Sequence, residues 1–167
     1  NRRDYQRYRS MSLPIPDETM ADDYRVRALS GPEEYPARSY LSWRVFHPGE
    51  SDEKYQGWEW YHNIQRAPLY RRELEIVAEA PDGELAAFCT VWFDEVTLTG
   101  AFEPVGTDPN HQRRGLATAV MNEGLRRLKK LGAELAFVGS WNEATHKLYS
   151  SVGFTEYDLS EAWEKEI

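Results

Sequence analysis

Residues 105–118 read V-G-T-D-P-N-H-Q-R-R-G-L-A-T, and the rest of the chain can be placed around this stretch. It begins as the end of a strand, bends at Asp108-Pro109-Asn110 and runs into a helix. The first N–H groups of a helix have no partner inside it, and the helix dipole adds about half a positive charge beside them. Gly115 has no Cβ to hold a ligand away, and Arg113 and Arg114 add donors. The stretch predicts a phosphate site, with an ordinary strand–turn–helix carrying an exposed arginine pair as the alternative.

Composition indicates a folded chain of one domain. The sequence has 167 residues with six Trp and ten Tyr, which is long enough for a single core. The net charge of −8 argues against nucleic acid as a partner, because that binding needs basic patches. No apolar run is long enough to span a membrane and no signal-peptide pattern opens the chain, so we expect a cytoplasmic protein without a membrane partner. The single cysteine, Cys89, lies in an apolar run and is expected to be a buried, inert thiol.

Residues 1–20 are predicted to be an N-terminal linker or packing segment ahead of a domain at residues 21–167. Arginines and tyrosines are interleaved there, and Leu13-Pro14-Ile15-Pro16 favours a stiff, extended backbone. A nucleic-acid-binding arm is the alternative interpretation. Because the chain also opens without a methionine, we expect it to be the C-terminal part of a longer protein with a preceding domain. A processed N terminus, or translation from Met11 or Met20, would explain the same observation.

Hydrophobic periodicity predicts the elements of the domain. Strand patterns occupy 24–29, 73–80, 85–93, 96–107, 134–139 and a last stretch from Gly153 to about Trp163, and helical patterns occupy 30–46, 52–65 and 117–131. Ser30 is a candidate N-cap, and Pro104 predicts an edge or a bulge in its strand. The strand–helix–strand unit at 96–139 implies a parallel, right-handed crossover. Together these elements predict an α/β fold with a mixed, mostly antiparallel central sheet and helices on both faces.

Two motifs resemble the GNAT family of acyl-CoA-dependent N-acetyltransferases. Gln112-x-x-Gly115-x-Ala117 resembles the family's Q/R-x-x-G-x-G/A signature, and Asn142-x-Ala144-x-x-x-Leu148-Tyr149-x-x-x-Gly153-Phe154 resembles its closing segment. The resemblance covers roughly residues 97–158. It implies an α+β GNAT fold and acetyl-CoA (coenzyme A) as cofactor. The loop amides would hold the pyrophosphate, and the strand before the loop would splay from the next parallel strand to leave a cleft for the thioester.

The resemblance also implies roles for individual residues. The cofactor-binding set that it implies is Val105 and Thr107 through their main chain, then Gln112, Arg113, Arg114, Gly115, Leu116, Ala117 and Thr118 in the loop, and Asn142. Tyr149 would be the general acid that protonates the departing thiolate. Asn142 and Tyr149 are seven residues apart and therefore share one helix face, so both can point at one cofactor arm. The alternative is that Tyr149 is simply a half-buried aromatic residue.

Acyl transfer to an alkyl ammonium also needs a base near neutral pH. Glu103 shares a strand face with Val105 and Thr107, because side chains alternate along a strand, and it is the candidate base. An exposed strand carboxylate is the equally weighted alternative, and Asp108 is interpreted as a turn residue. The consecutive aromatic residues from Trp58 to His62 cannot all point inward, so some are expected to form the acceptor wall. No histidine and carboxylate cluster has metal-ligand spacing, and this chemistry needs no metal.

The predicted function is acetyl-CoA-dependent N-acetylation, in which the primary amine of a small molecule attacks the thioester directly. The alternative from another class is a non-catalytic coenzyme A-binding domain that supports an active partner domain.

Overall fold

The computed structural model describes residues 3–17, 20–21 and 23–161. The end of the last predicted strand, near Trp163, lies outside these residues. The strands are β1 (Arg3–Ser10), β2 (Arg25–Ala28), β3 (Glu75–Glu79), β4 (Leu85–Asp94), β5 (Thr99–Thr107), β6 (Leu135–Ser140) and β7 (Glu156–Glu161). The α-helices are α1 (Tyr35–Phe46), α2 (His62–Gln65), α3 (Leu116–Lys130) and α4 (Glu143–Ser151). No helix in the described ranges is long and apolar enough to cross a membrane.

The seven strands form one sheet in the order β2-β3-β4-β5-β6-β1-β7. Its neighbours are antiparallel except β5 and β6, which are parallel and joined through α3. Successive side chains of a strand point to opposite faces of the sheet. Both faces carry apolar side chains, and helices cover both. On β4, Phe88 belongs to the cluster under α1, whereas the Cys89 thiol donates to the Val120 carbonyl of α3 at 3.2 Å. The predicted fold class is confirmed, and Cys89 is fully buried, which raises the pKa of its thiol.

The prediction that residues 1–20 lie outside the domain is wrong for β1. This strand lies inside the sheet, antiparallel to β6 on one side and to β7 on the other. Arg7 and Arg9 are 7% and 1% exposed, so they are not charges of a solvated arm. The Arg7 Nε donates to Ser140 Oγ at 3.0 Å, and the Arg9 Nη1 donates to the Val152 carbonyl at 2.6 Å. Residues far along the chain supply these acceptors, so the arginine-rich sequence of β1 does not show on its own that the strand is buried.

The proline segment after β1 also packs on the domain. Arg9 Nη2 donates to the Leu13 carbonyl at 2.9 Å, and Asn122 Nδ2 of α3 donates to the Pro16 carbonyl at 3.2 Å. Ile15 packs against the core cluster. The interpretation of this segment as an inter-domain joint is therefore wrong. That the chain is part of a longer protein stays a prediction.

The region between β2 and β3 is less helical than its periodicity predicts. A 3₁₀ turn at Pro32–Glu34 precedes α1. Ser30 is not its N-cap, because Gly31 occupies that position and the Ser30 hydroxyl accepts from Arg27 Nη1 at 3.3 Å. The helix predicted at residues 52–65 is wrong. Two 3₁₀ turns and the short α2 replace it, and Gly57, with a φ of +89°, interrupts the helical path between them.

Helix α3 packs closely on the sheet and fixes the position of the loop before it. The face of α3 that meets the sheet carries four fully buried apolar side chains, those of Val120, Met121, Leu125 and Leu128. A Cβ at Gly124 would lie 2.7 Å from a ring carbon of Phe102 on β5, so the helix and this strand approach closely. The N terminus of α3 is thereby held beside the carboxyl end of β5.

Candidate active site

The sheet opens where β5 and β6 separate. The two strands pair only as far as Phe102 and Val138, after which β5 stays paired with β4 to Thr107 and β6 stays paired with β1 to Ser140. The β4–β5 register shifts at this point, and Pro104 lies in the resulting irregularity, as its sequence predicts. The gap between the two strands is a cleft of about 380 Å³.

The two predicted catalytic residues meet in this cleft. Tyr149 of α4 and Glu103 of β5 both line it, and so does Val105. Tyr149 is 4% exposed, and burial, together with smaller contributions from Cys89 and Glu103, raises the pKa of its hydroxyl to about 12. The phenol therefore keeps its proton at neutral pH and can donate it.

Strand β1 contributes two residues that the sequence reasoning missed. Asp4 and Gln6 lie on one face of β1 and line the same cleft as Tyr149. The residues lining the cleft therefore include two acidic residues, Asp4 and Glu103. The alternation of β1 is the signal that could have found them, but interleaved arginines masked it.

A second cavity, of about 640 Å³, lies at the N terminus of α3. Eight of the ten predicted cofactor-binding residues line it: Thr107, Gln112, Arg113, Gly115, Leu116, Ala117, Thr118 and Asn142. Val105 lines the cleft instead. Arg114 is exposed and lines neither cavity, and its guanidinium carbon lies 5.8 Å from the ring centroid of Tyr24. Val105 and Thr107 share a face of β5 and lie about 7 Å apart, so β5 passes from the lining of the cleft to that of the second cavity.

The loop at this cavity has the geometry of an anion site. Arg113 and Gly115 have positive φ values of 62° and 77°, and Arg114 between them does not. Such alternation produces a concave nest of N–H groups, and the N terminus of α3 adds its dipole. The Arg114 and Gly115 carbonyls accept from Ala21 and Ala119, whereas in the described part of the chain the N–H groups of residues 112–118 donate to no protein acceptor. These free donors fit the pyrophosphate of coenzyme A.

Two polar side chains beside the loop fit the pantetheine arm. The Thr107 Oγ1 is buried and has no hydrogen-bond partner within the described residues. Asn142 is the N-cap of α4, and its Oδ1 accepts from the Thr145 N–H at 2.9 Å, which leaves Nδ2 as the group that can face a ligand. Asn142 and Tyr149 line different cavities, and that both point at one cofactor arm stays a prediction. Asn142 precedes the first turn of α4 and lines the second cavity, whereas Tyr149 lines the cleft.

A third cavity, of about 760 Å³, lies between the C-terminal half of α1 and the segment after it. Phe46 lines both this cavity and the cleft, so the two adjoin. Trp60 confirms the expectation that one ring of the aromatic run faces away from the core. Tyr61 is 1% exposed and belongs to the core, and His62 is an exposed residue whose ring contacts Trp58. We call this cavity the acceptor chamber; it is lined by Ser42, Trp43, Phe46, His47, Glu50, Glu53, Lys54, Tyr55, Gln56 and Trp60.

Asp108 has the structural role that the sequence predicts. Its Oδ1 accepts from the Asn110 N–H at 2.8 Å, and its Oδ2 lies 2.9 Å from the Arg44 Nε. It is 2% exposed and stabilises the turn that leads into the loop. Within the described ranges, no group of three or more His, Cys, Asp or Glu side chains could hold a metal ion.

Comparisons with known proteins agree with this geometry. The chain is 36% identical over 107 residues to mycothiol acetyltransferase from Nocardiopsis dassonvillei, a match that covers 54% of this chain and 32% of that protein. A GCN5-related N-acetyltransferase from Sphaerobacter thermophilus superposes with a TM-score of 0.75 at 18% identity, over 95% of this chain and 49% of that one. A GNAT family acetyltransferase from Brucella melitensis, solved in complex with acetyl-CoA, superposes with a TM-score of 0.62 at 19% identity, over 86% and 90% of the two chains.

The chain therefore spans about a third of the length of the mycothiol acetyltransferase and about half that of the Sphaerobacter protein. The structural likenesses establish the fold alone, and the family is established by a match between sequences. Residues 35–154 match the model for the acetyltransferase (GNAT) family, which covers most of the chain. On that match and on the fold around the opened sheet, this chain belongs to the GNAT family of acetyltransferases.

Proposed function

We propose that this chain transfers an acetyl group from acetyl-CoA to the primary amine of a small molecule. The observation that carries the proposal is the cleft, which Tyr149 lines together with Glu103 and Asp4. The adjoining cavity at Gly115 provides unpaired N–H donors for a pyrophosphate. The acetyl-CoA bound to the Brucella neighbour and the acetyltransferase name of the Nocardiopsis relative support the same reaction.

Acetyl-CoA, when bound, supplies the acetyl group as a thioester. The N–H groups of the loop and of the first turn of α3 would hold its pyrophosphate, with Arg113 adding charge. Thr107 Oγ1 and Asn142 Nδ2 are placed to bond the pantetheine arm. This arrangement directs the thioester along β5 into the cleft, where the strands have parted.

The residues of the cleft supply the proton transfers. A carboxylate, Glu103 or Asp4, takes a proton from the acceptor ammonium so that the neutral amine can attack. The C–N bond forms as the C–S bond breaks, and the Tyr149 hydroxyl gives its proton to the sulfur. Backbone N–H groups of β5 that lost their partner when the strands separated can stabilise the negative charge on the acetyl oxygen. The product nitrogen then loses its second proton, which restores the Tyr149 hydroxyl directly or through solvent, and the base returns its proton to solvent.

The test of this proposal is the Tyr149→Phe variant in an acetyl-transfer assay on a panel of amines. The substitution keeps the ring and removes the proton, so kcat is expected to fall by about 10- to 1000-fold. The Kd for acetyl-CoA, measured by calorimetry, should stay within about twofold of the native value, since the hydroxyl lies in the cleft and not at the loop. Unchanged turnover when chemistry is rate-limiting would refute the acid role.

The native protein provides the second readout. Acetyl-CoA binding without acetylation of any amine in the panel would favour the alternative, a non-catalytic coenzyme A-binding domain. The cytoplasmic location expected from the sequence stays a prediction.

A further inference from the structure

The acceptor chamber has walls that indicate the kind of molecule it takes. Trp43 stacks against His47, with ring centroids 5.2 Å apart and ring planes inclined by 13°. The centroid of the Tyr55 ring lies 5.9 Å from that of Trp43. The Tyr55 hydroxyl donates to Ser39 Oγ at 3.0 Å, which fixes this ring from behind. Trp60 closes the other side and is 47% exposed. These rings form a rigid, electron-rich surface that suits a flat apolar body or a cation.

The charged groups at the chamber are mainly acidic. Glu50 and Glu53 line it together with a single ammonium, that of Lys54. Lys54 Nζ lies 3.1 Å from Glu50 Oε2, and both side chains are well exposed, so this pair is weak and does not neutralise Glu53. The chamber therefore carries a net negative charge beside its aromatic wall.

The hydroxyl of Ser42 adds a polar group to the wall of the chamber. Ser42 of α1 is 8% exposed and lines the chamber. Its hydroxyl makes no hydrogen bond within the described residues and is available to a group in the chamber. An unpartnered donor and acceptor at this position fits a polar group on the bound acceptor.

We propose that the acceptor is an amine on an aromatic or similarly flat body that carries a second positive charge. This inference rests on the proposed function, because it names the substrate class of that site. The reacting amine lies in the cleft near Glu103. The flat body passes Phe46, the wall shared by the two cavities, and rests on Trp60 against the edge of the stacked Trp43 ring. The second cation then faces Glu50 and Glu53. The chamber volume of about 760 Å³ is far larger than a simple alkylamine needs and is within the range of sites for drug-sized molecules.

The experiment measures binding, so that it does not depend on turnover. Protein saturated with coenzyme A is titrated by calorimetry with 2-phenylethylamine, with its 4-aminomethyl derivative, and with its 4-carboxy derivative. The dication is expected to bind about tenfold or more tightly than the carboxylate, and the monocation in between, because like charges repel and opposite charges attract at the chamber. Raising the salt concentration should reduce this preference, since the carboxylates are exposed.

Two double variants separate the chamber from the overall charge of the protein. Glu50→Gln with Glu53→Gln should reduce the preference for the dication to about threefold or less. Glu33→Gln with Glu59→Gln removes the same charge from exposed positions outside the chamber and should keep the full preference. Trp60→Ala should weaken all three ligands, since each rests its ring on this wall.

Equal affinity for the three ligands in the native protein would overturn the inference, and so would a preference that survives in the Glu50/Glu53 variant. The proposed function fails differently. Its failure would appear as the absence of any acetylated product, whatever the order of the three affinities.

Discussion

Two glycines with positive φ stand at opposite ends of α3 and allow the cofactor site to be tested against an internal control. Gly115 precedes the helix with a φ of 77°, and Gly132 follows it with a φ of 89°. They lie about 25 Å apart along the helix, at 1.5 Å per residue. Substitution of either by aspartate adds the same side chain and the same charge in the same backbone region. Only Gly115 lies at the proposed pyrophosphate site.

The two variants should rank in opposite orders for stability and for acetyl-CoA binding. A left-handed conformation costs an L-residue about 1–2 kcal/mol. The helix dipole then favours a carboxylate at the N terminus of α3 and disfavours one at its C terminus by about 0.3–1 kcal/mol each. Gly115→Asp should therefore lower the free energy of unfolding by about 1 kcal/mol and Gly132→Asp by about 2 kcal/mol. At 1 kcal/mol per 2–4 °C, the second variant should have the lower Tm by about 2–4 °C.

Affinity for acetyl-CoA should follow the opposite order. At about 5 Å and an effective dielectric constant of about 40, the repulsion between the carboxylate added by Gly115→Asp and each pyrophosphate charge is roughly 1.7 kcal/mol before salt screening. After screening, a loss of about 1.4 kcal/mol or more, a tenfold rise in Kd, is expected for this variant. At Gly132 the added charge lies more than two Debye lengths away, so Kd should not change. The assay is calorimetric titration of each folded variant, with unfolding followed by thermal denaturation. Equal Kd values for the two variants would refute the assignment of the loop.

Two further predictions concern carboxylates. Glu103→Gln and Asp4→Asn are each expected to lower kcat/KM mainly below the pKa of the acceptor amine, where the amine is most protonated. The variant with the larger pH-dependent loss identifies the base. A loss that is equal at every pH would indicate a binding role instead. Arg38 of α1 and Glu75 of β3 form a fully buried ion pair of 2.6 Å, so Glu75→Leu should lower the free energy of unfolding by about 3–5 kcal/mol, whereas Arg38→Met combined with Glu75→Leu should cost much less. Denaturant unfolding measures both, and a double variant less stable than the single one would contradict this interpretation.

The cofactor loop could be predicted from the sequence because its geometry is local. Gly115 precedes a helix with a buried stripe, and the positive φ that the structure shows at this position is a conformation that glycine adopts readily. Tyr149 could be placed for the same reason, since a helix cap and a closing glycine bracket it in sequence. The pKa of Tyr149 could not be predicted, because its cause is burial by distant parts of the chain.

The acceptor chamber and β1 could not be predicted because their contacts are not local. The aromatic run at residues 58–62 has a helical spacing, but the glycine before it breaks the helix, and of this run Trp60 lines the chamber. In β1, buried arginines occupy inward positions that normally hold apolar residues. Their partners include Ser140, Ser150 and backbone carbonyls near Val152, all more than 100 residues further along the chain. A period-two pattern with arginine at alternate positions therefore indicates an exposed strand or arm unless those acceptors are known.

The position of β1 explains how the sheet can open without losing its order. When β6 parts from β5 after Val138, one edge of β6 loses its backbone partners, and unpaired edges in a sheet are unfavourable. Strand β1 pairs with the other edge of β6 from Leu135 to Ser140, so the wall of the cleft stays within a ladder along its whole length. The same strand places Asp4 beside the separated edge. The segment that the sequence suggested was a linker is thus the element that both keeps β6 in place and completes the acidic side of the cleft.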